Sequence, residues 1–142
     1  MNHMCIHINP LLYKPVGGYI MSKVVHFEIN APDADKAATF YGGVFGWEFQ
    51  QWGDGEMSYW LIKTGADDAP GIGGGMMSTP DWPQTVAIIE VDSVDTFTEK
   101  INESGGELVV GKMAIKGIGY AAYFKDPNGM VFGIYQPDPS AA

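Results

Sequence analysis

The chain has 142 residues, which is the size of one ordinary domain or of two small modules that share a core, and it is too short for a multidomain assembly. Hydrophobic residues make up 46% and charged residues 18%, which is the composition of a chain that folds and not of a disordered one. With 17 acidic and 8 basic residues, no arginine and a net charge of −9, the chain lacks the basic surface that nucleic-acid phosphates require. The negative field favours cationic or neutral ligands instead.

Residues 1–22 are predicted to be an N-terminal extension outside the core, because they show no sustained period and contain several prolines and glycines. His3, Cys5 and His7 alternate there and would share one face of a strand, a spacing that a soft metal could use; an adventitious site or a mobile tail is the alternative. Cys5 is the only cysteine and cannot form an internal disulfide. With no apolar run of membrane-spanning length and no signal-peptide pattern, we expect a cytoplasmic protein without a membrane segment.

The first module is predicted to span residues 23–79 and begins with a strand rich in β-branched and aromatic residues at 24–30. Alternation along this strand places His26 and Glu28 on the face opposite Phe27. An amphipathic helix packed on a sheet follows between Pro32 and Gly46, with its apolar residues at helical spacing: Ala37, Phe40, Tyr41, Val44 and Phe45. Three further strands are predicted near 47–52, 57–64 and 71–78, so the order is βαβββ.

The second module is predicted to span residues 84–137, after a proline-containing linker. Its elements are a strand at 85–91, a helix at 92–104 capped by Asp92 or Ser93, and strands near 107–115, 118–125 and 130–136. A shift of 60 residues superposes this module on the first one, for example Val91 on Ala31 and Gly106 on Gly46. The predicted fold class is therefore α+β, with tandem βαβββ modules that pair into a curved mixed sheet around a cavity, because neither module alone can bury a core.

Residues 23–137 resemble the vicinal oxygen chelate superfamily, which includes glyoxalase I, extradiol dioxygenases and bleomycin- or fosfomycin-resistance proteins. The stretches that carry the resemblance are HFEINAPDADKAATFYGGVFGWEF (26–49), YWLIKTG (59–65), GIGGGMM (71–77) and AYFKDPNGMVFGIYQ (122–136). The combination of FYGGVFGW on a helix with a terminal DPNG hairpin looks most like the branch related to lactoylglutathione lyase.

In the members of this superfamily that use a metal, each module offers one ligand from its first strand and one from its last strand. His26 matches the first of these four positions, but its repeat equivalent is Val86. In the last strand of the second module, the position where a ligand is expected is occupied by Gly133. In the corresponding strand of the first module, the position is also a glycine, around Gly73. Because valine and glycine side chains donate no lone pair, we expect no family-type metal site and no cofactor, although a divalent metal stays an alternative.

His26 and Glu28 are the candidate catalytic residues, with His26 as a general base and Glu28 positioned to orient its ring. The alternative is an inherited histidine that only lines the cavity. Glu90 is expected on the same face, so His26, Glu28 and Glu90 could form a displaced metal triad, or Glu90 could be a strand-end glutamate that reaches solvent.

A small-molecule site is predicted in the cavity between the sheets, because glycines leave room there and aromatic and thioether side chains would supply apolar walls. Some of these side chains would instead pack in the core on the helix-covered face. The predicted ligand-binding residues are His26, Glu28, Tyr59, Trp60, Met76, Glu90, Tyr123 and Tyr135.

Three functions follow from these features. The leading hypothesis is binding of a small apolar or cationic organic molecule without chemistry, as in bleomycin-resistance proteins. The second is a glyoxalase- or dioxygenase-like enzyme that uses His26 with Glu28 or Glu90, so the residues leave open whether the protein is an enzyme; the lack of arginine disfavours glutathione as substrate. The third is a dimeric interaction module, since the superfamily resemblance implies a homodimer and Trp47, Trp52 or Trp82 could serve its interface.

Overall fold

The chain folds as two consecutive βαβββ units, as described by a computed structural model that covers residues 21–52 and 58–142. The first unit consists of β1 (Val24–Asn30), α1 (Ala34–Phe45), β2 (Glu48–Trp52), β3 (Tyr59–Lys63) and β4 (Gly74–Met77). The second consists of β5 (Thr85–Glu90), α2 (Val94–Glu103), β6 (Glu107–Ile115), β7 (Gly119–Lys125) and β8 (Val131–Pro137). The predicted order of elements is confirmed in both units, whereas His3, Cys5 and His7 lie outside the described residues.

All eight strands form one curved, open, mixed sheet in the order β2-β3-β4-β1-β5-β8-β7-β6. The two units meet edge to edge where β1 pairs with β5 in antiparallel fashion, with Glu28 opposite Val86 and His26 opposite Ile88. Within each unit the last strand returns parallel to the first, β4 beside β1 and β8 beside β5. The first and last strands of both modules therefore occupy the centre of the sheet.

Both helices end where the capping residues of the sequence require. Asp33 caps α1 by accepting a hydrogen bond from the Lys36 backbone N–H at 3.1 Å, and Gly46 ends it in the left-handed conformation with φ of 73°. Ser93 caps α2 through its Oγ atom, 3.2 Å from the Thr96 nitrogen. The second helix is consequently shorter than the predicted 92–104.

Two clusters of the hydrophobic core lie on the face of the sheet that the two helices cover. One cluster is centred on Val91, Val94, Ala122, Phe124 and Ile134 under α2. The other is centred on Ala31, Ile62 and Met76 under α1. Because side chains alternate along a strand, their neighbours in sequence point to the opposite face, which we call the open face.

The predicted apolar stripe of α1 packs on the sheet only in part. Phe40, Val44 and Phe45 are 56%, 59% and 59% exposed, contrary to the expectation that they pack on the sheet. The residues that contact the core cluster are Ala37, which belongs to the predicted stripe, and its helix neighbours Ala34 and Ala38, which do not. Their small side chains face the sheet, and the larger side chains flank it. None of the helices in the described part of the chain is long and apolar enough to cross a membrane.

Candidate ligand-binding site

Four polar or aromatic side chains meet on the open face at the centre of the sheet. His26 and Glu28 extend from β1, where alternation with the core residues Phe27 and Ile29 turns them away from the helices. Tyr59 reaches them from β3 and Tyr123 from β7, which lie on either side of the central strands.

Hydrogen bonds connect these four side chains into one network centred on the Glu28 carboxylate. The Tyr59 hydroxyl donates to Oε2 of Glu28 at 3.1 Å, and the Tyr123 hydroxyl donates to Oε1 of the same carboxylate. Nε2 of His26 lies 3.0 Å from the Tyr59 oxygen. Since the single hydroxyl proton of Tyr59 is directed to Glu28, His26 must donate from Nε2–H to Tyr59. His26, Tyr59 and Glu28 therefore form a relay in which each hydrogen bond is donated toward the carboxylate. Tyr123 donates the hydrogen bond to the second carboxylate oxygen.

Burial is the main cause of the pKa shifts of the ionisable side chains in this cluster. Glu28 is only 5% exposed, and this burial raises the pKa of its carboxyl, while the hydrogen bonds from Tyr123 and Tyr59 oppose the rise. Burial, followed by the charge of Glu28, raises the pKa of both Tyr59 and Tyr123 well above the ordinary tyrosine range. Burial also lowers the pKa of His26. Both phenols therefore keep their protons at neutral pH and act as donors to Glu28.

Two tryptophans flank the tyrosines. The Trp52 ring lies edge to face with Tyr59 at a centroid distance of 6.3 Å and an angle of 73°. The Trp82 ring meets Tyr123 at 5.2 Å and 87°. Sequence reasoning treated both tryptophans as interface candidates and missed their place beside the site, although Trp52 and Tyr59 are opposite each other in the β2–β3 register.

Asn30 fixes the linker that carries Trp82. Its side-chain nitrogen donates to the backbone oxygens of Thr79 and Trp82 at 2.8 and 2.9 Å, and its Oδ1 accepts from the Thr79 N–H at 2.8 Å. The linker turns at Asp81, which has a positive φ of 60°. Nε1 of Trp82 is buried and has no hydrogen-bond partner among the described residues. The two modules are thus tied together at the tryptophan that contacts the site.

The structure separates the other predicted site residues from this cluster. Met76 is fully buried and Trp60 packs beside it in the core cluster under α1, on the face opposite Glu28. Glu90 does lie on the predicted face, but it is exposed and four residues along β5 from Val86, about 13 Å at the usual strand rise. Its neighbour is Tyr135, which is opposite it in the β5–β8 register and whose hydroxyl donates to the Ile118 oxygen at 3.1 Å.

The residues at the family's metal-ligand positions do not fit a metal ion. The register corrects the position in the first module from Gly73 to Gly75, since Gly75 is opposite Glu28 as Gly133 is opposite its repeat equivalent Ile88. A Cβ atom at Gly75 would overlap the Tyr59 ring, and one at Gly133 would lie 2.5 Å from Cδ1 of Ile88 and 3.1 Å from Cε1 of Tyr123. The two tyrosine rings and the Ile88 side chain therefore fill the space that ligand side chains would need.

His26 is left as the one donor among those four positions, and its Nε2 already bonds to Tyr59. In residues 21–52 and 58–142, no three His, Cys, Asp or Glu side chains are grouped to hold a metal. His26, Glu28 and Glu90 in particular are not grouped in this way, because Glu90 is four residues along β5 from Val86, the residue opposite Glu28.

An open cleft of about 750 Å³ lies at a different place, between the start of α1 and the linker. Its walls include Ala31, Tyr41, Thr79 and Gln84. Trp82 also lines this cleft, so the linker residue lies between the cleft and the Glu28 cluster.

Comparison with known proteins agrees with this architecture. The model of the bleomycin resistance protein-like N-terminal family matches residues 23–65. The anthracycline biosynthesis protein DnrV of Streptomyces peucetius is 27% identical over 124 residues, covering 78% of this chain and 45% of DnrV. The putative glyoxylase CFP32 of Mycobacterium tuberculosis is 28% identical over 118 residues, covering 77% of this chain and 43% of that protein. The chain thus spans less than half the length of these curated relatives.

A solved structure of a glyoxalase/bleomycin resistance protein/dioxygenase superfamily member from Vibrio splendidus 12B01 superposes with a TM-score of 0.58. It is 17% identical, and the match covers 83% of this chain and all of that chain. The fold is therefore that of paired βαβββ modules in one sheet. The family model, the curated relatives and this solved structure are all similar to the chain, and they agree with the resemblance of residues 23–137 to the vicinal oxygen chelate superfamily.

Proposed function

We propose that this protein binds a small organic molecule on the open face of its sheet, at Glu28 and the aromatic side chains around it, without a metal ion. The observation that carries the proposal is the buried Glu28 carboxylate, which two phenols hold in place at the centre of the sheet. Tyr59, Tyr123 and Trp82 are only partly buried, so their rings offer apolar contact area next to fixed polar groups. That combination is typical of small-molecule sites.

The names of the similar proteins support the same proposal. DnrV is named for anthracycline biosynthesis and the matching family model for bleomycin resistance, and both names refer to organic antibiotics. We propose a ligand of that general kind, small and either apolar or cationic, bound by a cytoplasmic protein.

Metal-free acid–base catalysis is the second candidate, and the His26–Tyr59–Glu28 relay favours it. Nδ1 of His26 has no hydrogen-bond partner in the described part of the chain, so its lone pair could accept a substrate proton. The resulting positive ring would be stabilised through Nε2–H, Tyr59 and the Glu28 carboxylate. His26→Ala would then abolish turnover and leave binding of the substrate within about twofold.

A homodimer is the remaining proposal, and the exposed side chains Phe40, Val44 and Phe45 of α1 favour it. Sedimentation equilibrium tests it with Phe40→Ser and Phe45→Ser, and a parent protein that sediments as a monomer would contradict it. Of the tryptophans proposed for an interface, Trp52 is 42% exposed, while Trp47 stacks on Tyr41 at 5.1 Å and Trp82 contacts Tyr123.

The ligand-binding proposal is tested by thermal-shift screening followed by calorimetry. The probes are an anthracycline, a bleomycin and a set of small aromatic amines and alcohols. We expect at least one probe to raise the melting temperature, and Trp52→Ala to weaken its binding about fivefold or more, because Trp52 packs on Tyr59 at the edge of the site.

Phe40→Ala is the matched control, since Phe40 is an exposed aromatic residue on the opposite face. It should leave the affinity unchanged. A screen in which no probe binds, or a probe whose binding depends on Phe40 and not on Trp52, would contradict the proposed site.

A further inference from the structure

Resting on the proposed function, we infer that the ligand carries an organic ammonium group, which sits against the Tyr59 and Tyr123 rings with Glu28 as its counter-charge and the two tryptophans as outer walls. Three features of the site lead to this assignment: the charge of Glu28, the arrangement of the aromatic rings, and the direction of the hydrogen bonds.

The first feature is a carboxylate that, among residues 21–52 and 58–142, is hydrogen-bonded to two phenols and forms no ion pair with a lysine. Both oxygens of Glu28 accept from tyrosine hydroxyls, and burial and these hydrogen bonds are the influences on its ionisation. The ion pairs that the structure describes, Lys63 with Asp67 and Lys112 with Asp95, lie elsewhere. A carboxylate removed from water attracts a nearby cation more strongly than a solvated one does, because the local dielectric constant is lower.

The second feature is the pair of aromatic corners on either side of Glu28. Trp52 with Tyr59 and Trp82 with Tyr123 each meet at close to a right angle, 73° and 87°. Two rings at a right angle present a face and an edge to the same volume, so a compact cation can lie over one face while a second ring encloses it. Aromatic cages of this kind recognise quaternary ammonium groups.

The third feature is the direction of the hydroxyl protons. Both tyrosines donate to Glu28, so their O–H groups are not available to a ligand. The Tyr59 oxygen also accepts from His26, so a ligand would meet the oxygen lone pair of Tyr123 and the ring surfaces that the tryptophans leave uncovered. A phenol that donates to a carboxylate also becomes more electron-rich. These groups therefore favour a positive or hydrogen-bond-donating ligand and disfavour an anion.

The test compares three compounds of one shape and different charge: choline, its neutral isostere 3,3-dimethylbutan-1-ol, and the anion 3,3-dimethylbutanoate. Each is titrated to millimolar concentration into the full chain labelled with ¹⁵N, and the four indole N–H signals are followed by NMR. We expect choline to bind about tenfold or more tighter than the alcohol, and the anion to bind weakest.

The indole signals of Trp52 and Trp82 should shift, while that of Trp60, which packs on the opposite face, should not. Glu28→Gln should bring choline and the alcohol to within about twofold of each other, because the amide keeps the size of the side chain and removes its charge. Glu90→Gln is the matched control: it removes one negative charge from the same face, four residues along β5 from the residue opposite Glu28, and should keep the preference for choline.

Equal binding of choline and the alcohol, or a preference for choline that survives Glu28→Gln, would overturn the inference. So would a complete lack of choline binding. Any of these results would overturn the ammonium inference alone if the thermal-shift screen finds a neutral ligand whose binding depends on Trp52. If the screen finds no such ligand either, the proposed function is overturned as well.

Discussion

Replacing Gly75 by alanine is expected to displace Tyr59 from Glu28. A Cβ atom at this position would lie 2.8 Å from Cε1 of Tyr59 and would overlap Cζ and Oη. Ordinary carbon contacts are 3.4–4 Å, so the ring cannot stay where it is, and the backbone of a central strand has little freedom to move.

The size of the effect follows from the hydrogen bonds that Tyr59 would lose. Its bond to the Glu28 carboxylate contributes about 1.5–3 kcal/mol and the bond from His26 about 0.5–1.5 kcal/mol. Reduced entropy of the unfolded chain offsets about 0.4–1 kcal/mol of this loss. We therefore expect Gly75→Ala to lower the free energy of unfolding by about 1–4 kcal/mol.

Urea denaturation in a double-mutant cycle separates the clash from a general strand effect. In a Tyr59→Ala background the obstructing ring is gone, so Gly75→Ala should no longer destabilise the protein and should raise the free energy of unfolding by about 0.4–1 kcal/mol, through the reduced entropy of the unfolded chain. Gly111→Ala on β6 is the control, because a Cβ atom there meets nothing within 4 Å. If Gly75→Ala and Tyr59→Ala prove additive within about 0.5 kcal/mol, the steric reasoning is refuted.

Three more predictions concern single features. Gly43→Ala should raise the free energy of unfolding by about 0.5–1 kcal/mol, because the added methyl group on α1 meets no atom within 4 Å. Gly42→Ala should raise it by less, since a Cβ atom there would lie 3.2 Å from the Trp47 oxygen. Equal increases for the two variants would contradict this difference in packing. Asn30→Ala should lower it by about 1–3 kcal/mol and shift the indole N–H signal of Trp82, since three hydrogen bonds hold the linker; an unmoved signal would argue against that tie. Burial raises the folded-state pKa of Glu28 above the 4.5 of an ordinary glutamate, so the folded state binds more protons and stability falls as pH rises from that value through the folded pKa. Urea titrations across this range should show Glu28→Gln gaining stability relative to the parent as pH rises, and a constant difference would refute the assignment.

Much of the fold could be predicted from neighbouring residues. The strand at Glu107–Ile115 has its predicted bounds, and α1 lies between Pro32 and Gly46 as expected. Alternation also placed His26 and Glu28 on one face. These features depend on periodicity and capping, which act over a few residues and are therefore visible in the sequence.

The candidate site could be predicted only in part. Tyr59 and Tyr123 were among the expected ligand-binding residues, but so were Trp60 and Met76, which the structure places under α1. Local alternation separates Tyr59 from Trp60 without showing which of them faces the helix. The sequence indicated that Glu90 shares the face of Glu28, as the structure shows. It could not show that Glu90 is four residues along β5 from Val86, the residue opposite Glu28.

The sequence by itself determined a duplicated βαβββ chain with His26 and Glu28 on the same side of its first strand. The tertiary structure decided what surrounds them. Tyr59 and Tyr123 lie 31 and 95 residues from Glu28, and only the strand order brings both hydroxyls to one carboxylate. The reason is physical: periodicity reports which way a side chain points, whereas the neighbours that it meets depend on strand pairing and register across the whole sheet.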